Sequence, residues 1–464
     1  MLEGLEISEV SKNEIDKNNR IDSEYYKKQF ILLEKQIQNI PHNTLEEIAS
    51  FLIGPFGSAF DTENYLESGK YRYVRGQDVK PFVLKDDDKR YIPDTDYKRL
   101  EKYALKERDI LLSVVGTLGN ACIVQKKDMP AIFSCKSTVI RSKNILPAYI
   151  LTYLNCKYGN ELLLRRERGA IQKGLNLEDL KSILIPVVTS NFQKAIEQLF
   201  YDAQDKIDLS KQLYSEAEDI LLKELGLKDW KPIEQRSTIK TFADYLVSGR
   251  LDAEYYQPKY DQIEQKIKTY KGGFCLISDK FSQNRDIGNF DKLEYNYIEI
   301  GDINISNGDV TSHLISTEEL PANAKVKIHE GDILISKVRP YRGAIAIVNK
   351  NLDNLIASNA FTILQEKSNF KKEVLQVLFR TDVYKDWLLK WNVGSSYPVI
   401  KDENILNLII PILDNVIQQK ISDKITESFY LNEESKRLLE LAKTAVETAI
   451  KQGEQNAIKI LNIE

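Results

Sequence analysis

Apolar residues recur at steps of mostly three and four along two long stretches of the chain. Between 191 and 225 they are Phe192, Ile196, Leu199, Ala203, Ile207, Tyr214, Ala217 and Leu221. Between 415 and 452 they are Ile417, Ile421, Ile425, Phe429, Leu438, Ala442, Ala445 and Ala449. Glu and Lys fill the opposite faces. The spacing predicts two amphipathic helices, each of about 35 residues and roughly 50 Å. Gly226 stands where a left-handed C-cap would end the first. Covering one small core needs a shorter seam, so the pattern points to helix–helix pairing.

Elsewhere the apolar runs are short and bounded by Gly, Pro, Asn and Asp. "RDILLSVVG" (108–116) and "GDILISKV" (331–338) read as strands. Residues 147–166 and 371–391 have helical periodicity. Each β-rich stretch follows a short helical lead, "SEYYKKQFILLEKQIQNI" (23–40) and "AEYYQPKYDQIEQKIKTY" (253–270).

The plan is therefore written twice. "RIDSEYY" (20–26) returns as "RLDAEYY" (250–256). "YRYVRGQDV" (71–79) then matches "YNYIEIGDI" (295–303), and "LKERDILLS" (105–113) matches "IHEGDILIS" (328–336). "GNACIVQK" (119–126) matches "GAIAIVNK" (343–350), and "LKSILIPV" (180–187) matches "ILNLIIPI" (405–412). Matches held in register over so long a span indicate a tandem duplication, with halves near 1–235 and 236–464. The expected fold is α+β, with two β-rich domains and two long helices that pair with each other. The expected divisions are 1–190, 191–235, 236–414 and 415–464.

Composition narrows the class. The chain has 464 residues, 42% apolar and 29% charged, with net charge −4 and pI about 5.8. Any polyanion must therefore be met by a local basic face. No apolar run approaches the roughly 20 residues of a membrane helix. The polar N-terminus lacks signal-peptide features, so the expected location is cytoplasmic. Cys122, Cys135, Cys156 and Cys275 lie too far apart for a metal clip, and the three histidines are equally scattered. No phosphate-binding glycine loop and no Pro-Pro dipeptide of an adenine methyltransferase occurs. Asp94 and Asp96 in "PDTDYK" stand too close to come from separate strands of a nuclease. The chain is expected to do no covalent chemistry and to hold no metal.

Basic and aromatic residues interleave in the β-rich parts. "GKYRYVRGQDVK" (69–80) carries Arg72, Arg75, Gln77 and Lys80 among tyrosines. Strand alternation puts Arg72 and Val74 on the face opposite Tyr73 and Arg75. "ISKVRPYRGA" (335–344) carries Lys337, Arg339, Tyr341 and Arg342. "RRERGAIQKG" (165–174) offers Arg165, Arg166, Arg168, Gln172 and Lys173, and "VGSSYP" (393–398) offers Ser395, Ser396 and Tyr397. Arg can grip guanine and Gln adenine through two bonds each; solvated surface is the plainer account of any one of them. Asp78, Asp302, Asp109 and Asp332 recur in both halves and fit turn caps. Gly119 and Gly343 fit positive-φ positions, and Pro186 and Pro411 fit strand exits.

These stretches resemble the DNA-specificity subunit of type I restriction–modification systems. The resemblance rests on "GPFGSAF" (54–60), "YVRGQDV" (73–79), "ERDILLSVVGTLGNACIV" (107–124) and "GAIQKGLNLEDLKSILIPV" (169–187). In the second half it rests on "RLDAEYYQPKY" (250–260), "GDILISKVRPYRGAIAIV" (331–348), "ASNAF" (357–361) and "GSSYPVIKDENILNLIIP" (394–411). It implies two target-recognition domains, each reading one part of a bipartite double-stranded DNA site, separated by two long antiparallel helices forming a coiled-coil spacer. It also implies two methyltransferase subunits that carry S-adenosylmethionine and methylate adenine N6, and a restriction subunit using ATP and Mg that can join them. No cofactor is implied for this chain.

The DNA-contact candidates are then Gly54, Phe56, Gly57, Ser58, Arg72, Arg75, Gln77, Lys80, Lys136, Gln172, Lys173, Lys337, Arg339, Tyr341, Arg342, Ser395, Ser396 and Tyr397. Tyr25, Tyr26, Tyr255 and Tyr256 are candidates for docking the partner subunits, with helix packing the competing account. Two other readings stand beside this one. One is the specificity arm of another nuclease or methyltransferase assembly, with its own carboxylates at Asp94 and Asp96. The other is a coiled-coil scaffold without DNA affinity. The halves diverge most in the contact stretches, so the two half-sites should differ.

Overall fold

Runs such as Ile110, Leu111 and Leu112 are apolar at consecutive positions because both faces of the strand are buried. Ile110 and Leu112 join a core with the helices, while Leu111 joins a second core against another sheet. The same division holds for Ile333 and Ile335 against Leu334. The computed structural model describes residues 7–12, 15, 20–55, 59–169, 173–235, 237–288, 290–349, 352–394 and 397–461. The chain forms two compact units, Met1–Asp205 with Glu434–Glu464, and Lys206–Glu433.

In the first unit an antiparallel sheet orders its strands Ala49–Ile53, Ser137–Ser142, Ile110–Ser113, Ala121–Ile123. A second sheet places Tyr71–Val74 between Arg90–Ile92 and Ala131–Phe133, parallel to the latter. The ribbon His42–Thr44 with Leu184–Pro186 joins the start and end of the β-rich region. The second unit repeats this plan. Its first sheet runs Phe281–Gln283, Phe361–Glu366, Ile333–Ser336, Ile345–Ile347. Its second runs His313–Ser316, Glu294–Ile298, Leu355–Ser358, Ala324–Lys327, again with one parallel pair. The ribbon pairs Phe274–Leu276 with Ile409–Pro411. Both prolines end their strands just before a long helix.

The long helices are Ser190–Glu224 and Asn415–Gln452, with Gly226 left-handed at φ 60°. Each contributes to both units. In the first, Phe192, Ile196 and Phe200 share a core with Ala442, Ala445 and Val446, and Ser435 donates to the Ala203 carbonyl at 2.7 Å. In the second, Tyr214, Ala217 and Leu221 share a core with Ile421 and Ile425. There Ser210 meets Ser428, and Lys424 bonds Glu216 at 2.6 Å. Partner numbers fall along one helix as they rise along the other in each unit, so the pairing is antiparallel.

The capping aspartates act as their spacing implies. Asp78, Asp302, Asp109 and Asp332 accept the backbone N–H of Arg75, Glu299, Lys106 and His329 at 2.7–3.0 Å. Gly119 and Gly343 sit at φ 81° and 74°. The predicted helices over 147–166 and 371–391 are each broken in two, at Cys156 and Thr381, where the backbone is extended. The lead helices are shorter than predicted. They span Lys28–Gln38 and Pro258–Lys268, and the preceding Tyr-Tyr phrases are turns. Among the described residues, no helix is long and apolar enough to cross a membrane.

Candidate nucleic-acid interface

Several loops of the first unit meet around residues 134–136, beyond the end of Ala131–Phe133. A side chain at Gly54 would stand 2.3 Å from the Ser134 carbonyl oxygen, and one at Gly76 would stand 2.8 Å from Lys136 Cβ. Only glycine lets these backbones approach. Val114 N–H donates to the Lys136 carbonyl, and Leu175 N–H to the Val114 carbonyl, both at 2.9 Å. Leu175 leaves a hairpin closed by reciprocal bonds between Arg168 and Gly174 at 2.9 and 2.8 Å. This cluster carries exposed Gln77, Lys136 and Lys173, with Lys80 half-buried in the next turn. Phe56, Gly57, Ser58 and Gln172 lie outside the described residues.

Two arginines of the same stretch have other work. Arg72 is buried, its guanidinium 2.9 Å from Asp128 and 2.5 Å from the Lys85 carbonyl. This corrects its expected role in touching bases. Tyr71–Val74 is covered on both faces, so alternation left Arg72 inside, where only a buried carboxylate makes the charge tolerable. Arg75 bonds Asp78 at 2.7 Å and Asp88 at 3.2 Å. The bond from Asp78 raises the pKa of its guanidinium further. Gln77 lies against that guanidinium. Arg165 and Arg166, offered for contact by the basic stretch 165–174, are both buried and pair with Glu34. Arg168 forks onto Asp179 at 2.6 and 2.9 Å.

The second unit builds the corresponding cluster with different side chains. Lys337 N–H donates to the Ala360 carbonyl at 2.8 Å, Ile400 N–H to the Lys337 carbonyl at 3.0 Å, and Arg339 N–H to the Pro398 carbonyl at 2.8 Å. Val393 and Val399 close the hairpin with two bonds of 3.0 Å. Arg339 is left-handed at φ 47° ahead of the Pro340–Arg342 turn, and its guanidinium carbon lies 4.6 Å from the centre of the Tyr397 ring. Arg342 and Tyr397 are exposed, and Tyr341 is half-buried. Lys337 is 3.2 Å from Asp402. Ser395 and Ser396 lie outside the described residues. By the repeat's register, Glu299, Gly301 and Ala360 occupy the positions of Arg75, Gln77 and Lys136. Basic groups thus enter from the strand-exit turn and Lys136 in the first unit, and from residues 337–342 in the second.

The repeated phrase adopts one geometry in both units. Arg20 forks onto Asp22 at 2.8 and 2.9 Å and donates to the Glu167 carbonyl at 3.0 Å. Arg250 forks onto Asp252 at 2.6 and 2.8 Å and donates to the Asn392 carbonyl at 2.9 Å. Asp22 and Asp252 accept the N–H of Tyr25 and Tyr255 at 3.1 Å. The Tyr26 and Tyr256 hydroxyls donate to the carbonyls of Arg20 and Arg250 at 2.9 Å. Arg20 and Arg165 lie 4.4 and 4.2 Å from the Tyr25 ring centre. Arg250 and Lys390 lie 5.0 and 5.4 Å from that of Tyr255. All four tyrosines therefore make contacts within their own units. The reach to residues 167 and 392 was missed from sequence, because a carbonyl acceptor leaves no trace in residue identity.

Asp94 and Asp96 share the short exposed helix Asp94–Arg99 and pair with Lys98 and Arg99, each at 2.7 Å. The bond from Lys98 lowers the pKa of Asp94. Neither joins a group of three potential metal ligands among the described residues.

The family model described as "Type I restriction modification DNA specificity domain" matches residues 43–219 and again 266–442. The chain is 29% identical over 155 residues to the type I restriction enzyme HindI specificity subunit of Haemophilus influenzae, and the match spans about a third of each protein. Among solved structures, the chain is similar to a type I restriction–modification S subunit from M. genitalium. That match has 13% identity and a TM-score of 0.41, covering 91% of this chain and 95% of that one. An HsdS subunit from Thermoanaerobacter tengcongensis matches at 14% identity and a TM-score of 0.27, covering 89% and 97%. With the domain matched twice over most of its length, the chain belongs to the type I restriction modification DNA specificity family.

Proposed function

We propose that this chain is the non-catalytic specificity subunit of a type I restriction–modification complex. Each unit's loop cluster reads one part of a bipartite double-stranded DNA site. Two methyltransferase subunits bring S-adenosylmethionine and methylate adenine N6 where the chain positions them. A restriction subunit using ATP and Mg can join the same assembly. The observation that carries this reading is one scaffold built twice with different side chains at its surface: exposed Gln77, Lys136 and Lys173 in one copy, exposed Arg342 and Tyr397 with half-buried Arg339 and Tyr341 in the other. A shared frame with divergent donors suits two unlike half-sites, because side chains at base edges carry sequence discrimination. Arg75 and Lys337, held by carboxylates, are better suited to phosphates or to shaping the loops.

Co-expression with a partner methyltransferase from the same source, followed by mapping of methylated adenines, tests this. The expected result is a two-part motif with a fixed gap. Scattered methylation identical to that seen without the chain would overturn the reading. The purified chain alone with Mg²⁺ should leave DNA uncut, and cleavage would overturn the non-catalytic assignment.

A further inference from the structure

The hairpins 168–174 and 393–399 carry Lys173 and Tyr397 and are held at their exits by the readout loops, through Leu175 to Val114 and Ile400 to Lys337. Their entrances are held differently. The residue just before each closing pair, Glu167 or Asn392, gives its carbonyl to the arginine of the repeated phrase. That arginine cannot rotate away cheaply. Its other edge is forked onto Asp22 or Asp252, and an aromatic ring packs against it. In the first unit Glu167 also pairs with Lys173, so the anchored foot is tied to a candidate contact. A planar guanidinium bonded on two edges sets orientation as well as distance. The arrangement recurs in both units although the hairpins share almost no sequence.

We propose that Arg20 and Arg250 are positioning residues. Each fixes the entrance of its own unit's hairpin and so governs readout of one half-site without touching DNA. The proposal rests on the specificity-subunit reading above. It assigns the repeated phrase to the alignment of each recognition loop, one copy per half-site.

The test uses the chain in complex with its methyltransferase, carrying Arg20→Met or Arg250→Met, with methylation measured on a library that varies both half-sites. Arg20→Met should relax discrimination in one half-site by roughly tenfold, the scale of one mismatched base pair, and leave the other unchanged. Arg250→Met should do the reverse. Arg→Lys, which keeps charge but cannot bond on two edges, should fall between. Loss of folded protein alone would lower methylation of all sites equally. If both half-sites relax together, or neither does, the proposal fails. Should Arg20→Met not fold, Asp22→Asn and Asp252→Asn weaken the fork at half-exposed positions and should give the same half-site split. If the unmodified complex shows no bipartite specificity, the specificity-subunit reading has failed, not the anchor.

Discussion

Ser210 and Ser428 face each other across the two long helices with their hydroxyls 3.0 Å apart, and each hydroxyl also donates to the other's carbonyl, at 2.7 and 2.8 Å. Both are buried, so no water competes. Ser210→Ala and Ser428→Ala should each cost about 1 kcal/mol. Each acceptor is a main-chain carbonyl that the partner's substitution leaves in place, so the double variant should lose the sum of the two within about 0.5 kcal/mol. Urea unfolding of all four proteins measures this, and single variants as stable as the native chain would contradict the pairing.

Arg72 belongs to the interior, so its loss should be felt in folding. Arg72→Met leaves Asp128 buried without its partner and should cost about 3–5 kcal/mol. The folded fraction should keep its target sequence. A variant of normal stability that reads one base pair less well would return Arg72 to the DNA surface.

Glu34 predicts an acid-sensitive fold. Burial pushes its carboxyl up, but Arg166 and Arg165 outweigh that and hold it below its ordinary range. A depressed folded pKa contributes stability above the ordinary value of about 4.3. That stability is lost as pH falls through the folded value. Melting temperature should therefore drop between pH 5 and 3 more in the native chain than in Glu34→Gln, which starts lower. Parallel curves would remove Glu34 from the account.

Gly54 should tolerate no side chain. A Cβ there falls 2.3 Å from a main-chain oxygen that cannot swing aside. Gly54→Ala should destabilise the first unit by about 1–3 kcal/mol and weaken the half-site that Arg20 influences. Unchanged binding and melting would show that residues 134–136 can yield.

Lys136 and Arg342 distinguish phosphate from base contact. If Lys136 meets a phosphate, Lys136→Gln should weaken all sequences and reduce the salt slope by about one. If Arg342 grips a guanine, Arg342→Ala should cost about 1–3 kcal/mol at one position only. Titrations against matched and mismatched duplexes at several salt concentrations separate the two.

The long helices were legible because an unbroken periodicity needs no knowledge of its partner: 191–225 was expected and Ser190–Glu224 is found, 415–452 and Asn415–Gln452. The duplication was legible from ordered matches. Arg72 was not, because alternation names a strand's two faces without saying that both are covered, and Asp128 lies 56 residues away. Arg165 and Arg166 looked like surface for the same reason, their partner being Glu34 in the lead helix. The Tyr-Tyr phrase looked helical until Asp22 and Asp252 took the N–H groups that turn the chain before Lys28 and Pro258.

The first unit is assembled from the two ends of the chain, and this sets an order of events during synthesis. Lys206–Glu433 is continuous and can close as soon as it emerges. The apolar surface formed by Phe192, Ile196 and Phe200 must wait for Ala442, Ala445 and Val446. At roughly 5–20 residues per second, that wait lasts some ten to fifty seconds. Through it the earlier-made unit stays open to chaperones and to misassociation, and the later-made one is completed before it.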